Sequence, residues 1–415
     1  MVDLLMKLAK QGNANAQCEL GRCYFYGYGV LKDEQQAVSW YTLAAEQGNA
    51  NAQYNVGACY FYGEGVEKDE KKAIEWWRKS AKQGHAGAQN VLGLCYQDGN
   101  GVGKDQKKAI EWLTKSAKQG HAGAQNNLGL CYLDGNGVGK DTKKALEWWT
   151  KSAKQGYAGA QYNMGLCYQN GSGVLKDDGK AVEWYTKSAE QGLAEAQYNL
   201  GRCYYTGNGV AKDYGKTVEW YIKAAKQGFA EAQYSLGSCY YNGEGVLKDQ
   251  KKAIFWFTLA AELGHAKAPY SLGVCYQHGE GVLKDEKKAI SWYTLAAEQG
   301  NTDAQNRLGF CYKHGEGVAK DDKKTVYWYT KAAELGNTKA QNNLGVCYFH
   351  GHGVEKDPEK AVFWYTKSAE QGDPEGQKNL GYCYQHGIGV AKNTGKAVEW
   401  YIKAAEQGGT DDTKR

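Results

Sequence analysis

Residues 13–48 read NANAQCELGRCYFYGYGVLKDEQQAVSWYTLAAEQG, and residues 49–84 read NANAQYNVGACYFYGEGVEKDEKKAIEWWRKSAKQG. The same 36-residue register continues without insertion in repeats that start at residues 13, 49, 85, 121, 157, 193, 229, 265, 301, 337 and 373. A fixed period of this length is typical of repeat architectures, in which each repeat is one small structural motif. We therefore predict eleven tandem repeats over 13–408, a partial capping helix over 1–12 and a polar tail over 409–415.

Each repeat is predicted to contain two helices, as the repeat 193–228 illustrates. Its first half places apolar residues three or four positions apart, on one helical face: Ala196, Leu200, Cys203 and Tyr204. The second half shows the same spacing: Thr217, Val218, Tyr221, Ala224 and Ala225. Gly207 is expected to end the first helix in a left-handed conformation, and Asp213 to cap the start of the second.

The prolines provide an independent test of these helix boundaries. Pro358 and Pro374 each follow an aspartate that is predicted to be a helix cap. At the first helical position the N–H that proline lacks has no partner in any case. Pro269 lies about three residues further into its helix, so we expect it to weaken the first turn there.

Stacking of the repeats supplies the core, because one helix pair buries too little apolar surface to fold alone. In the segment Leu200–Gly201–x–x–Tyr204, the glycine is expected to let two helices approach closely. One tryptophan column is predicted to anchor the core: Trp40, Trp184, Trp220, Trp292, Trp364 and Trp400. The sequence thus predicts an all-α solenoid of helix–turn–helix repeats.

Composition argues against several classes of protein. Lys and Arg total 51 and Asp and Glu total 46, with both signs interspersed. A nucleic-acid-binding protein usually has stronger and more clustered positive charge. No stretch approaches the roughly 20 apolar residues that span a membrane, and the start, MVDLLMKLAKQG, lacks the features of a signal peptide. We therefore predict a cytoplasmic protein, with a secreted effector as the alternative, and neither nucleic-acid binding nor membrane insertion.

The repeat pattern A-x-A-Q-x-x-L-G-x-x-Y-x-x-G-x-G-V-x-x-D-x-x-K-A-x-x-W-Y-x-K-A-A-x-Q-G resembles that of the Sel-one-like repeats, which are related to tetratricopeptide repeats. One repeat carries the match through Ala196, Gln197, Leu200, Gly201, Tyr204, Gly207, Gly209, Val210, Asp213, Trp220, Tyr221, Ala224, Ala225, Gln227 and Gly228. Asn393 departs from the pattern by replacing the capping aspartate of the last repeat. The resemblance implies a right-handed superhelix of antiparallel helix pairs whose curved inner surface binds partner proteins.

Twelve cysteines raise the question of disulfides or metal binding. Eleven occupy one register position: Cys23, Cys59, Cys95, Cys131, Cys167, Cys203, Cys239, Cys275, Cys311, Cys347 and Cys383. Equivalent residues on packed helices lie at least about 8–10 Å apart, which is too far for a disulfide. We interpret them as small buried thiols. A cysteine-rich bacterial branch of the resembling family pairs two cysteines in each repeat and is linked to β-lactam binding; the second cysteine is absent here.

Four histidines recur at one position near the end of the first helix: His278, His314, His350 and His386. Repeat spacing keeps such a column from converging on one metal ion, so we predict no metal site. A helix C-terminus favours a partly positive imidazole, which makes solvated capping the first interpretation. A pH-sensitive patch or one for acidic ligands is the alternative.

Positions that vary between repeats identify the candidate binding surface. On the first helix they are three or four residues apart, and the resemblance implies that first helices line the inner groove. The predicted partner-binding residues are Tyr162, Asn163, Leu166, Tyr198, Asn199, Arg202, Tyr205, Tyr234, Ser238, Tyr241 and Tyr270. Tyrosine offers rigid contact area, arginine a charged anchor and asparagine two-sided hydrogen bonding to a peptide backbone.

The function predicted from the sequence is a non-catalytic scaffold that binds segments of partner proteins, without a cofactor. No Walker loop, HExxH or GxSxG signature occurs, and the recurrent GxGV turn lacks the third glycine of a dinucleotide fingerprint. The alternative is a cell-envelope or β-lactam-interacting protein like the cysteine-rich branch. An RNA-binding helical repeat is a further alternative. Incomplete covering of the last repeat also suggests end-to-end self-association.

Overall fold

The computed structural model describes residues 2–408, all of whose regular elements are helices. The predicted polar tail lies outside the described residues. The helices are α1 (Val2–Lys10), α2 (Ala14–Tyr26), α3 (Glu34–Glu46), α4 (Ala50–Tyr62), α5 (Glu70–Lys82), α6 (Ala86–Asp98), α7 (Gln106–Lys118), α8 (Ala122–Asp134), α9 (Thr142–Lys154), α10 (Ala158–Asn170), α11 (Asp178–Glu190), α12 (Ala194–Thr206), α13 (Tyr214–Lys226), α14 (Ala230–Asn242), α15 (Gln250–Glu262), α16 (Ala268–His278), α17 (Glu286–Glu298), α18 (Thr302–His314), α19 (Asp322–Glu334), α20 (Thr338–His350), α21 (Pro358–Glu370), α22 (Pro374–His386) and α23 (Thr394–Gly408).

The even-numbered helices are the first helices of the repeats, and the odd-numbered helices from α3 onward are the second helices. Each helix packs on the next one along the chain within two compact units, one ending at Lys212 and the other beginning at Asp213. Each unit is a stack of helical hairpins, which confirms the predicted all-α solenoid.

The helix boundaries follow the predicted capping residues. Gly207 ends α12 with φ of 83°, in the left-handed region that favours glycine. The Asp213 carboxylate accepts a hydrogen bond of 2.9 Å from the Lys216 N–H and so caps α13. Both predictions are confirmed.

The prolines also occupy the expected positions. Pro358 and Pro374 are the first residues of α21 and α22, directly after the capping aspartates. Pro269 shortens its helix, because α16 begins only at Ala268 and has 11 residues where the other first helices have 13. Lys267, the residue before α16, provides no side-chain cap. The predicted weakening of this first turn is therefore confirmed.

A glycine in each first helix faces a large buried side chain of the second helix. A Cβ atom added to Gly129 would lie 2.5 Å from Trp149 Nε1, and one added to Gly165 would lie 2.5 Å from Tyr185 Cε1. Trp149 and Tyr185 are almost fully buried. The predicted close approach at this glycine column is confirmed.

The predicted tryptophan anchors are half-buried rather than central in the core. Trp220 packs its indole under the Lys223 ammonium, whose Nζ lies 3.8 Å from the ring centroid. The next residue, Tyr221, is the buried one, with 4% of its surface exposed. The same holds for the rest of the column: Trp40, Trp184, Trp292, Trp364 and Trp400 are half-buried. The prediction that these tryptophans anchor the core is therefore wrong. The buried position is the next residue along each second helix, which packs against the glycine of the first helix.

The second glycine of the GxG turn lets neighbouring repeats approach. Gly353 has φ of 72°, and a Cβ atom there would lie 2.1 Å from the Asp322 carbonyl oxygen at the start of α19. The other GxG turns have the same conformation, as at Gly245, with φ of 71°. These turns therefore hold one repeat against the preceding second helix.

A chain of buried glutamines also joins the repeats. Gln53 Nε2 donates to the Ala45 carbonyl oxygen of the preceding repeat at 3.0 Å. Gln53 Oε1 accepts from Gln83 Nε2, at the end of its own repeat, at 2.7 Å. The chain is interrupted where leucine replaces the donor, at Leu263 and Leu335.

Candidate functional site

The predicted partner-binding residues lie on four first helices. Helix α10 carries Tyr162, Asn163 and Leu166, and α12 carries Tyr198, Asn199, Arg202 and Tyr205. In the second compact unit, α14 carries Tyr234, Ser238 and Tyr241, and α16 carries Tyr270. We call the surface formed by these helices and their counterparts within each unit the first-helix surface.

In the first compact unit, asparagine amides connect neighbouring first helices. Asn163 Nδ2 donates to Asn126 Oδ1 at 3.0 Å, and Asn199 Nδ2 donates to the Tyr162 hydroxyl oxygen at 3.3 Å. Asn199 is only 7% exposed. The predicted peptide-binding amides therefore spend at least one donor on the adjacent helix, which fixes their orientation.

The other predicted residues of this unit differ in exposure. Arg202 is exposed, whereas Leu166, Tyr198 and Tyr205 are half-buried. Tyr162 packs against Tyr185, with ring centroids 5.9 Å apart, and burial raises the pKa of its hydroxyl. This set offers apolar and aromatic area with one charged side chain at its edge.

In the second compact unit, four predicted residues come together around a cavity of about 190 Å³ between α14 and α16. Its lining consists of Tyr234, Ser238, Tyr241, Asn242, Phe257, Tyr270, Ser271, Val274 and Cys275. The lining is partly apolar and aromatic, and it also includes hydroxyl and amide groups. A slot of this composition suits one apolar or aromatic side chain with a nearby peptide group.

Packing holds the walls of this cavity in place. The Tyr234 ring stacks on His265 with a centroid separation of 4.3 Å, and it also lies 5.4 Å from the Phe257 ring. The Tyr241 hydroxyl donates a hydrogen bond to the Glu280 carboxylate, and this bond raises the pKa of the tyrosine. The aromatic walls are thus fixed before any ligand binds.

An equivalent cavity of about 340 Å³ lies between α2 and α4 in the first compact unit. Phe25 and Tyr54 line it at the register positions of Tyr241 and Tyr270. None of the predicted partner-binding residues lines this cavity, because all of them lie in the central repeats. The repeated GxCY segment, which precedes the aromatic wall residue, is the signal that would have located it.

Arg307 also lies on the first-helix surface, although it is not among the predicted partner-binding residues. On α18, its guanidinium donates to the Glu316 carboxylate at 2.9 Å and its Nε donates to Gln277 Oε1 at 3.0 Å. The position corresponds to Asn199 and Ser271 in other repeats. Its register on the first helix, three residues after Ala304, could have identified it.

The cysteine column is buried, with Cys23 half-buried as the exception. Burial raises the pKa of the Cys203 thiol to about 11 and that of Cys239 to about 12. Such thiols stay protonated at neutral pH and are poor nucleophiles. Within residues 2–408, no cluster of three or more His, Cys, Asp or Glu side chains could hold a metal ion.

The histidine column lies in the last turns of α16, α18, α20 and α22, as predicted. The expected positive imidazole is wrong for His350, because burial and the adjacent His352 lower its pKa. The rings of His350 and His352 lie 5.5 Å apart. His314 instead packs on Phe310, with centroids 4.3 Å apart.

The Sel1 repeat family model matches eleven consecutive segments of this sequence. They are residues 14–49, 50–85, 86–121, 122–157, 158–193, 194–229, 230–265, 266–301, 302–337, 338–373 and 374–409. The chain belongs to the Sel1 repeat family. The resemblance found in the sequence is thereby confirmed, with the family frame set one residue later than the frame used above.

Solved structures include related Sel1-repeat proteins. A protective antigen of uropathogenic Escherichia coli with an SLR fold is 38% identical, with a TM-score of 0.80 over 100% of this chain and 91% of that chain. A Sel1 repeat protein from Oxalobacter formigenes is 37% identical, with a TM-score of 0.55 over 73% of this chain and 88% of that chain. A comparison with proteins of curated function finds no match.

Membership in the Sel1 repeat family places the chain among proteins with a common general role. Sel1-repeat proteins are generally non-catalytic scaffolds for protein interactions. Among residues 2–408 of this Sel1-repeat chain, no helix combines the length and the apolar character that crossing a bilayer requires.

Proposed function

We propose that this Sel1-repeat chain is a non-catalytic scaffold that binds partner polypeptides along its first-helix surface. The partner would lie across consecutive first helices as an extended segment, and its apolar side chains would enter the slots between them. No cofactor and no nucleic acid takes part in this proposal. The location proposed for this activity is the cytoplasm, or a target compartment if the protein is a secreted effector.

The pair of equivalent cavities is the observation that carries this proposal. Both lie between consecutive first helices, and both combine an aromatic wall with a buried cysteine, Cys59 in one and Cys275 in the other. Adjacent first helices in a stack lie about 8–10 Å apart. Side chains of an extended peptide that point the same way are about 7 Å apart, so one can enter a slot while the next lies on the adjacent first helix.

The predicted residues would take different roles in such a complex. Tyr234, Ser238, Tyr241 and Tyr270 would contact the partner through the slot. In the first compact unit, Tyr162, Asn163, Leu166, Tyr198, Arg202 and Tyr205 would form the contact surface. Asn199 would act indirectly, because its buried amide orients the Tyr162 hydroxyl.

Loss of the Tyr270 ring is expected to weaken peptide binding strongly. Peptides selected from a displayed random library against the full chain should carry a bulky apolar residue. Their affinity for Tyr270→Ala should be at least about tenfold lower, since truncation of a buried aromatic contact costs more than about 1.4 kcal/mol. Fluorescence anisotropy with a labelled selected peptide measures this change.

A matched control is available on the second helices. Phe363 is an aromatic residue with 51% exposure on α21, outside both slots. Phe363→Ala should bind the selected peptide with unchanged affinity. Equal affinities for wild type, Tyr270→Ala and Phe363→Ala would contradict binding at the first-helix surface.

The alternatives have less support. The β-lactam-interacting branch pairs two cysteines in each repeat, whereas here each repeat from Cys59 onward has one buried thiol. An RNA-binding role would require a basic first-helix surface, but tyrosine, asparagine and serine predominate there. The positive charges at the same register positions are scattered over both units: Arg22, Arg202, Arg307, Lys313 and Lys378. Three of them are paired with glutamates on the same helix or the following turn: Arg22, Arg307 and Lys378.

We also propose that the chain associates with itself through α23. Val398 and Ile402 on α23 are 50% and 52% exposed, whereas Val362, the counterpart of Val398, is 7% exposed. Light scattering between low and high protein concentration should therefore show an increase in mass. Val398→Lys with Ile402→Lys should abolish that increase, and a constant monomer mass for the parent chain would rule out this contact.

A further inference from the structure

A separate cavity of about 450 Å³ lies between the second helices α17 and α19. Its lining includes Glu298 at the end of α17, Gln305 on α18, and Tyr327 and Trp328 on α19. Gln305 is on a first helix, but its side chain is buried against the end of α17, and the other residues named here belong to second helices. The cavity combines aromatic rings, carboxylates and a buried amide.

Only the nitrogen of the Gln305 side-chain amide forms a hydrogen bond among the described residues. The side chain is 5% exposed, and its Nε2 donates to the Ala297 carbonyl oxygen at 3.0 Å. Its Oε1 is buried and has no hydrogen-bond partner in the part of the chain that the structure describes. A buried acceptor without a donor is unfavourable, so this oxygen is a strong point of attachment for a ligand that brings one.

In other repeats, a glutamine donor occupies the equivalent acceptor. A glutamine at the end of the second helix donates to the equivalent Oε1 at 2.6–2.8 Å in these pairs: Gln47 and Gln17, Gln83 and Gln53, Gln119 and Gln89, Gln155 and Gln125, Gln191 and Gln161, Gln371 and Gln341. Leu335 occupies the donor position in this repeat. Leu335 is 62% exposed, so rotation of its side chain can uncover the acceptor quickly.

Trp328 lacks the lysine that covers the ring of six of its counterparts. In six repeats a lysine three residues later lies 3.8–4.3 Å from the tryptophan centroid, as Lys223 does over Trp220. In α19, Lys331 lies instead over Tyr327, at 5.9 Å. Because Tyr327 draws this lysine away, the face of Trp328 is open to a cation from a ligand.

The charges that line the cavity favour a cation. Glu298 and Glu334 contribute two carboxylates and Lys331 one ammonium group. Neither glutamate forms an ion pair among the described residues. Gln233 has an orphan acceptor as well, opposite Leu263, but Lys226 stands there at the register position of Glu298. A cationic ligand is therefore favoured at Gln305 over Gln233.

We propose that this cavity binds an arginine side chain of a partner polypeptide. The planar guanidinium can stack on Trp328 while its edge donates hydrogen bonds to Gln305 Oε1 and to a carboxylate. A lysine ammonium is a compact charge and cannot make both contacts in this way. Free arginine is disfavoured because its own carboxylate would face Glu298 and Glu334.

Fluorine NMR of the full chain labelled with 5-fluorotryptophan tests this assignment. The probe is the pentapeptide acetyl-Gly-Gly-Arg-Gly-Gly-amide, and the Trp328 resonance is assigned from its loss in Trp328→Phe. We expect that resonance to shift saturably with the arginine peptide. The matching peptides with citrulline or lysine should bind at least about tenfold more weakly, because each loses the charge or the planar donor set.

Two substitutions exchange the properties of neighbouring cavities. Leu335→Gln restores the donor found in the sister repeats, so it should fold and should weaken arginine-peptide binding at Trp328 at least about tenfold. Gln371→Leu should do the reverse in the equivalent cavity beside Trp364, by exposing the Gln341 acceptor. The Trp364 resonance should then begin to respond to the peptide.

Several outcomes would overturn the proposal. The absence of a saturable shift at Trp328 would remove the site, and equal binding of the lysine peptide would remove the guanidinium assignment. Unchanged binding by Leu335→Gln would show that the Gln305 acceptor is not used. None of these outcomes bears on the slots of the first-helix surface, so the two proposals fail independently.

Discussion

Replacement of Gly353 by alanine is expected to lower the free energy of unfolding of the second compact unit by about 4 kcal/mol. The left-handed conformation costs a non-glycine residue about 1–2 kcal/mol. The added Cβ would also lie 2.1 Å from the Asp322 carbonyl oxygen. Since that atom belongs to the backbone of a packed helix, relief requires the repeats to separate, and overpacking of this kind costs about 1–3 kcal/mol or more.

Gly336→Ala isolates the conformational part of this effect. Gly336 has φ of 90°, but an added Cβ would meet no atom within 4 Å. Its substitution should cost only about 1–2 kcal/mol. Urea unfolding followed by circular dichroism gives both values, and hydrogen exchange in α19 and α21 shows whether the loss is local. Similar losses for the two variants would refute the role assigned to the GxG turn in joining repeats.

Gly129→Ala is expected to destabilise its repeat by about 3 kcal/mol, although alanine normally stabilises a helix interior by about 0.5–1 kcal/mol relative to glycine. The new methyl group would lie 2.5 Å from Trp149 Nε1. Trp149 is 1% exposed and its Nε1 donates to the Asn126 carbonyl oxygen at 3.1 Å. Displacement of the indole would therefore leave a buried N–H without a partner.

The same repeat offers a matched control and a rescue. An added Cβ at Gly139 would meet nothing within 4 Å, so Gly139→Ala should change the unfolding free energy by less than about 0.5 kcal/mol. Combining Gly129→Ala with Trp149→Ala should cost less than the sum of the single changes, because alanine leaves room for the methyl group. Strict additivity would argue against the steric cause.

The helices could be predicted because the same capping residues and the same apolar spacing recur from repeat to repeat. The glycine that ends each first helix and the aspartate that starts each second helix act through local backbone geometry, which depends little on distant contacts. The weak first turn predicted at Pro269 corresponds to the late start of α16 at Ala268.

The core anchors could not be assigned by the same reasoning. Trp220 and Tyr221 are adjacent aromatic residues, about 100° apart around α13, and both fit an apolar stripe. Only the packing of the first helix against the second decides that the position of Tyr221 is buried. The amphipathic tryptophan takes the boundary position, where Lys223 can cover its face.

The candidate site was predictable in its helices and less so in its contacts. Four of the predicted tyrosine and serine residues do line one slot, because three share a face of α14 and Tyr270 lies opposite them on α16. The partners of the amides could not be inferred, since Asn199 reaches Tyr162 across 37 positions. Whether a slot opens also depends on volume, as Ser238 and Val274 leave space that larger residues would fill.

The interrupted glutamine chain has a mechanical consequence. Leu263, Pro269 and Leu335 remove three consecutive links between α14 and α19, whereas Gln371 and Gln341 form the next one. In a stack stabilised by nearest-neighbour contacts, the weakest junction governs where the array parts under load. We therefore expect a pulling force to separate the repeats of the second unit first between α14 and α19, rather than at a terminus. The repeats that separate are almost identical in sequence to those that stay together.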